Sequence, residues 1–172
     1  MGILPREEIE RPIRALDPEM RKQLRARQIR LGPVLVFLPP LNKPAAVKML
    51  GTLWALWNGQ ALPPPLPHDG AASVRIDSEK ADRDFYRAIG YRKMVLWTQS
   101  HLAAARAIGY PVYGTRAIRI DMLDRVINSI YDSAKDGKFQ ARHEMAEWLG
   151  CGIEELYGVL EALGHKAIHR PP

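Results

Sequence analysis

The stretch IRIDMLDRVINSIYDSAKDG, residues 118–137, decides the fold. Leu123, Val126, Ile127, Ile130, Tyr131 and Ala134 recur at helical spacing, and Gly137 closes the run. The pattern predicts an amphipathic helix that must bury its apolar stripe against neighbours. The next segments can supply them. ARHEMAEWLGCG (141–152) predicts a short helix with Met145, Trp148 and Leu149 on one side. IEELYGVLEALG (153–164) predicts a third, carrying Ile153, Leu156, Tyr157, Leu160 and Leu163. HKAIHR (165–170) reads as a short strand. Helix, short helix, glycine-containing turn, helix and strand follow the order of a winged helix-turn-helix.

Upstream, ALDPEMRKQLRARQIRLG (15–32) opens as a helix. Asp17 suits the N-cap, Pro18 the first helical position and Glu19 the positive end of the dipole, and Gly32 with Pro33 is expected to stop it. PVLVFLPP (33–40), apolar and rich in β-branched residues, reads as a buried strand. KPAAVKMLGTLWALWNGQ (43–60) reads as a helix with Val47, Leu50, Leu53, Trp54 and Trp57 facing the core and Gly59 at its end. The two tryptophans could stack bases, but their spacing beside Leu50 and Leu53 points to packing. ALPPPLPHDGAA (61–72) is too proline-rich for regular structure, and residues 60–73 read as a semi-rigid linker.

The pentapeptide RAIGY occurs at 87–91 and again at 106–110. Two helices, DSEKADRDFYRAIG (77–90) and KMVLWTQSHLAAARAIG (93–109), would each end on the glycine of one copy.

The chain has 172 residues, 47% of them hydrophobic, with one cysteine. That composition fits one packed domain or two small ones, excludes an intramolecular disulfide and suits a reducing compartment, with the cytoplasm as the default. The sequence shows neither a secretory signal nor a stretch of about 20 apolar residues, so no membrane partner is expected.

The net charge of +6 is unevenly placed. From Met20 to His68 there is no Asp or Glu, whereas Arg21, Lys22, Arg25, Arg27, Arg30, Lys43 and Lys48 all fall there. Residues 111–172 hold eight Lys/Arg against nine Asp/Glu. A clustered field of one sign is the footprint of a polyanionic partner, although a solvated basic face would look the same.

Catalytic constellations are scarce. The sequence has no phosphate-binding G-x-x-x-x-G-K-[ST], no G-x-S-x-G elbow and no H-E-x-x-H. Cys151 reads as a small packed residue in a turn. His143, His165, His169 and Cys151 lack a strong metal spacing. Asp121 and Asp124 share a helix face beside Arg119 and Arg125 and read as a surface charge network. No catalytic residue, metal or cofactor is expected. The third helix carries Glu154, Glu155 and Glu161 and no Lys or Arg, which argues against a major-groove reader. Edge contacts to nucleic acid would fall to Arg116, Arg119, Arg142, Lys166 and Arg170.

IRLGPVLVFLPPLNKPAAVKMLGTLWALWNG (29–59), DFYRAIGY (84–91) with YGTRAIRIDMLDRV (113–126), and LGCGIEELYGVLEALGHK (149–166) together resemble a known region. It is the C-terminal accessory region of bacterial superfamily 2 ATP-dependent helicases related to the RNA helicase of the mitochondrial degradosome. The resemblance runs from about residue 17 to the end and does not reach the ATPase. In the family pattern the FYRA-G segment runs straight into the G-RA-R-DML segment, so residues 92–110 read as an insertion whose end copies RAIGY.

The expectation is a mainly α protein with minor β. It would have a basic helix–strand–helix unit at 1–59, a linker at 60–73 and a helical module at 74–172 ending in the winged-helix-like motif. The resemblance implies a non-catalytic accessory region that contacts single-stranded RNA through phosphates and docks on helicase motor domains, in cis or in trans. A protein–protein docking module with no nucleic-acid role, and a small DNA-binding regulator, are the alternatives.

Overall fold

A computed structural model describes residues 3–59, 62, 67, 69–75, 105–106 and 108–168. The helix expected over 77–90, the first RAIGY and most of the helix expected over 93–109 lie outside the described residues, as does Arg170.

The fold is mainly α with minor β. The described strands are β1 (Ile3–Pro5), β2 (Arg30–Leu31), β3 (Leu35–Phe37), β4 (Ser73–Arg75), β5 (Val112–Tyr113) and β6 (Arg116–Ile118). The helices are α1 (Glu10–Arg14), α2 (Pro18–Ala26), α3 (Pro44–Trp57), α4 (Ile120–Ser133), α5 (His143–Leu149) and α6 (Ile153–Ala162). Two antiparallel sheets form, in the orders β1-β3-β2 and β4-β6-β5.

The core gathers around α4. Ile118, Ile120, Leu123, Val126, Met145, Leu149, Leu156 and Val159 have no accessible surface. Ile3, Leu35 and Phe37 of the first sheet join the same cluster, so residues from 1–59 and from 74–172 meet in one core. A second small cluster joins Val47 of α3 to Ala105, Ile108, Tyr110 and Ala117. Its Tyr110 hydroxyl donates to the Ala71 carbonyl at 2.9 Å, and burial pushes the phenol above the usual tyrosine range.

Helix α2 starts as expected: Asp17 Oδ1 accepts from the Met20 N–H at 2.7 Å and Pro18 opens the helix. It ends at Ala26, not at Gly32. Gln28 takes a left-handed conformation, φ 60°, and the chain then pairs Arg30 and Leu31 with β3. Sheet pairing overrides the helical propensity of that basic run. The expected strand in 33–40 is β3, whose three residues are all buried.

Helix α3 is present but turned. Val47, Gly51 and Ala55 are its buried residues. Leu53 and Trp57, expected in the core, are exposed, Trp57 by 86%, together with Met49 and Leu56.

Helices α4, α5 and α6 match the expected three-helix order. Tyr131 and Ala134, expected on the buried stripe of α4, are exposed. Gly150 closes α5 in the left-handed region at φ 63°, and Glu155 Oε2 accepts from the Gly152 N–H at 3.1 Å to start α6. The strand expected from 165 is not formed over His165–Ile168; His165 instead stacks edge-on against Phe139 at 5.0 Å. The strands beside these helices come from β4–β6, which precede them. The second RAIGY ends in a turn: Tyr110 N–H donates to Ala105 O at 2.9 Å across Gly109, φ 92°. Among the described residues no helix is long and apolar enough to cross a membrane.

Candidate nucleic-acid interface

The structure sorts the expected cations into braces and free groups. Arg21 is a brace: its guanidinium donates to the carbonyls of Leu16 at 3.2 Å and Ile13 at 3.0 Å, and so caps the end of α1. Arg25 is exposed and returns one hydrogen bond to the Arg21 carbonyl at 3.4 Å. Lys22 is exposed and only loosely paired with Glu19, at 3.9 Å. Arg27, Lys43 and Lys48 are exposed, and no carboxylate among the described residues pairs with them. Lys166 is exposed in the same way beyond α6.

Arg116, expected at an edge, is inside. It is 7% exposed and donates to Ser73 Oγ at 2.8 Å, Glu155 Oε1 at 2.8 Å and Gly150 O at 3.4 Å. The guanidinium ties the second sheet to the α5–α6 turn and offers nothing to a ligand. Ser73 Oγ in turn donates to the Leu149 carbonyl. The same contact explains part of the acidity of α6, because Glu155 faces inward. Arg119 is also engaged: Nε donates to Asp121 Oδ1 at 2.6 Å and Nη1 to Gly70 O at 3.3 Å. The bond to Asp121 holds its pKa above the usual arginine value.

Two expected residues far apart in sequence meet. Arg30 of β2 and Arg142, just before α5, line one open groove of about 670 Å³ along the polar face of α4. Arg30 Nε donates to Asp124 Oδ2 at 2.9 Å, and Asn128 Nδ2 donates to the same oxygen at 2.9 Å. Asp124 is therefore a buried, satisfied carboxylate, and the network expected around it runs to Arg30 instead of Arg125. Gly32 makes that approach possible: a Cβ there would lie 2.6 Å from Asp124 Oδ1 and 2.6 Å from the Leu35 carbonyl oxygen. Arg142 Nη2 donates to Ser129 Oγ at 2.8 Å.

Arg125 also lines the groove and was not among the expected site residues. Its Cζ sits 4.1 Å from the ring centroid of Trp148, which is itself half-buried against the core. Arg125, Asn128, Ser129 and Asp132 recur at i, i+3, i+4 and i+7, and that polar spacing is the signal that could have located the groove. A second hollow, about 940 Å³, lies between β1 and β5. Its cations are matched, Arg6 with Glu10 at 3.0 Å and Arg106 with Glu8 at 3.5 Å, which leaves less there for an anion.

Cys151 is half-buried, and burial pushes its thiol up, which disfavours the nucleophilic thiolate. Among the described residues no three His, Cys, Asp or Glu side chains gather where they could hold a metal ion.

Comparison of the chain with family models, with curated proteins and with solved structures finds no match.

Proposed function

We propose that this chain is a non-catalytic accessory region of an RNA helicase, which holds single-stranded RNA by its phosphates and docks on the motor core. The observation that carries the reading is the solvent-facing set Lys22, Arg25, Arg27, Lys43 and Lys48 in a run without a single carboxylate from Met20 to His68. Among the described residues, Arg6, Arg106, Arg116 and Arg119 are instead paired with carboxylates. The sequence blocks that resemble the helicase region support the same reading. With no phosphate-binding loop in the sequence, hydrolysis belongs to motor domains in cis or in trans.

The mechanism is electrostatic. Each neutralised phosphate releases condensed counterions, and for a single strand each contact steepens log K against log salt by about 0.7. The exposed outer face of α3, with Met49, Leu53, Leu56 and Trp57, supports the docking half of the proposal. It equally favours the second reading, a protein-docking module without RNA.

Fluorescence anisotropy with a short single-stranded RNA across a salt series tests the proposal. The triple variant Lys22→Glu, Arg25→Glu and Arg27→Glu should lose most of the affinity, and its salt dependence should be shallower by about 2. Arg21 stays untouched because it braces α1. Absence of binding at low salt would leave the protein-docking reading. An unchanged salt slope in the variant would remove α2 from the interface.

A further inference from the structure

We propose that the α4 groove holds one base of the bound RNA strand, stacked on the outer face of the Arg125 guanidinium, with the neighbouring phosphates on Arg142 and Arg30. The proposal rests on the RNA-binding reading above and adds to it a contact with a base.

Arg125 is exposed, yet no carboxylate among the described residues pairs with it; its partner is the Trp148 ring, 4.1 Å away. One side of the guanidinium is therefore occupied by an aromatic ring that the core holds in place. The other side is a planar, weakly hydrated π-surface open to solvent, and bases stack on such surfaces. Both residues sit on helices, so the platform is fixed before a ligand arrives.

The rest of the groove fits the edges of a nucleotide. Asn128 and Ser129 provide neutral donors and acceptors, and three carboxylates line the groove: Asp124 is taken up by Arg30 and Asn128, Asp121 by Arg119, and Asp132 stands near the stacking surface. A carboxylate accepts from the exocyclic amine of a base. Arg142 donates Nη2 to Ser129 and holds Nη1 in a loose ion pair with Glu144 at 3.9 Å, which orients the guanidinium and leaves N–H groups at the exposed side for a phosphate. Arg30, half-exposed behind its bond to Asp124, offers a second cation at the same wall. The volume of about 670 Å³ lies in the range of small-ligand sites.

Arg125→Lys is the decisive variant, because it keeps the charge and removes the planar fork. Two probes are compared by anisotropy: a short oligoadenylate and a ribose-phosphate oligomer of equal length without bases. The intact protein should bind the oligoadenylate more tightly, by about 5- to 150-fold for one stacked base. Arg125→Lys should lose that preference while keeping its affinity for the abasic strand and its salt slope. Equal binding of both probes by the intact protein, or an undiminished preference in Arg125→Lys, would overturn the base contact. If the α2 triple variant still abolished binding in that case, the phosphate reading would stand alone. Absence of all RNA binding at low salt would overturn both. Adenosine monophosphate displacing the strand at comparable concentration would reassign the groove to a free nucleotide.

Discussion

Helices α3 and α4 are each 14 residues long, and each reads as apolar at helical spacing. They pack in opposite ways. Helix α4 buries Ile120, Leu123, Val126, Ile127 and Ile130 and turns Arg125, Asn128, Ser129 and Asp132 to the groove. Helix α3 buries Val47, Gly51 and Ala55 and leaves Met49, Leu53, Leu56 and Trp57 outside. In α4 the polar residues gather on one side, so one orientation keeps the charges at the surface apart from Asp124, which is buried but paired with Arg30. Helix α3 is apolar nearly all round, with Lys48 as its only charged residue, and periodicity cannot choose between its faces. Close approach chooses: small residues face inward, beside a tight cluster that includes Ala105 and Ala117. The large residues are left at the surface.

The comparison breaks most visibly at Leu123, which is fully buried in the middle of α4. Leu123→Ala opens a cavity in the cluster that also holds Met145, Leu149 and Leu156 and should cost about 2–5 kcal/mol. Urea denaturation, read as a shift in midpoint at constant slope, measures it. A loss below about 1 kcal/mol would mean that α4 does not organise the core.

Much of this was legible in the sequence, and the boundary is physical. Asp17 and Pro18 announced α2, 33–40 announced β3, and the 118–164 stretch announced three helices, because caps, β-branched runs and amphipathic stripes are local signals. The end of α2 was not legible, because Arg30 and Leu31 become a strand only once β3 is beside them. The fate of the arginines was not legible either. Arg116, Arg119 and Arg142 look alike in sequence, yet one is buried on Glu155, one is bonded to Asp121 and one remains half-open beside Ser129. Which carboxylate an arginine meets depends on contacts dozens of residues away: Arg116 and Glu155 are 39 apart and Arg30 and Asp124 are 94 apart. The groove depends on such a long-range meeting, and only the polar spacing on α4 hinted at it.

The inner face of α3 is the next place to sharpen the contrast. Val47 packs with Ile108 and Tyr110. At about 0.8 kcal/mol per buried carbon, Val47→Ala should destabilise by about 1.6 kcal/mol, measured by the same denaturation. A null result would remove the second cluster from the energetics of the fold.

The smallest effect should come from one of the largest residues. Trp57 and Trp54 are the bulkiest side chains on α3, and sequence spacing alone would rank the removal of Trp57 among the costliest. It is 86% exposed, so little apolar area leaves water when the chain folds around it. Trp57→Ala should therefore change stability by no more than about 0.5 kcal/mol, less than the two carbons of Val47. The order of the two variants is the test, because it depends on which face of α3 is inside and not on residue size. If Trp57→Ala costs more than Val47→Ala, α3 is rotated relative to the structure. The outer face would then be unavailable for docking. If the order holds, the tryptophan lies at the surface without contributing to the fold, as the proposed docking of α3 requires.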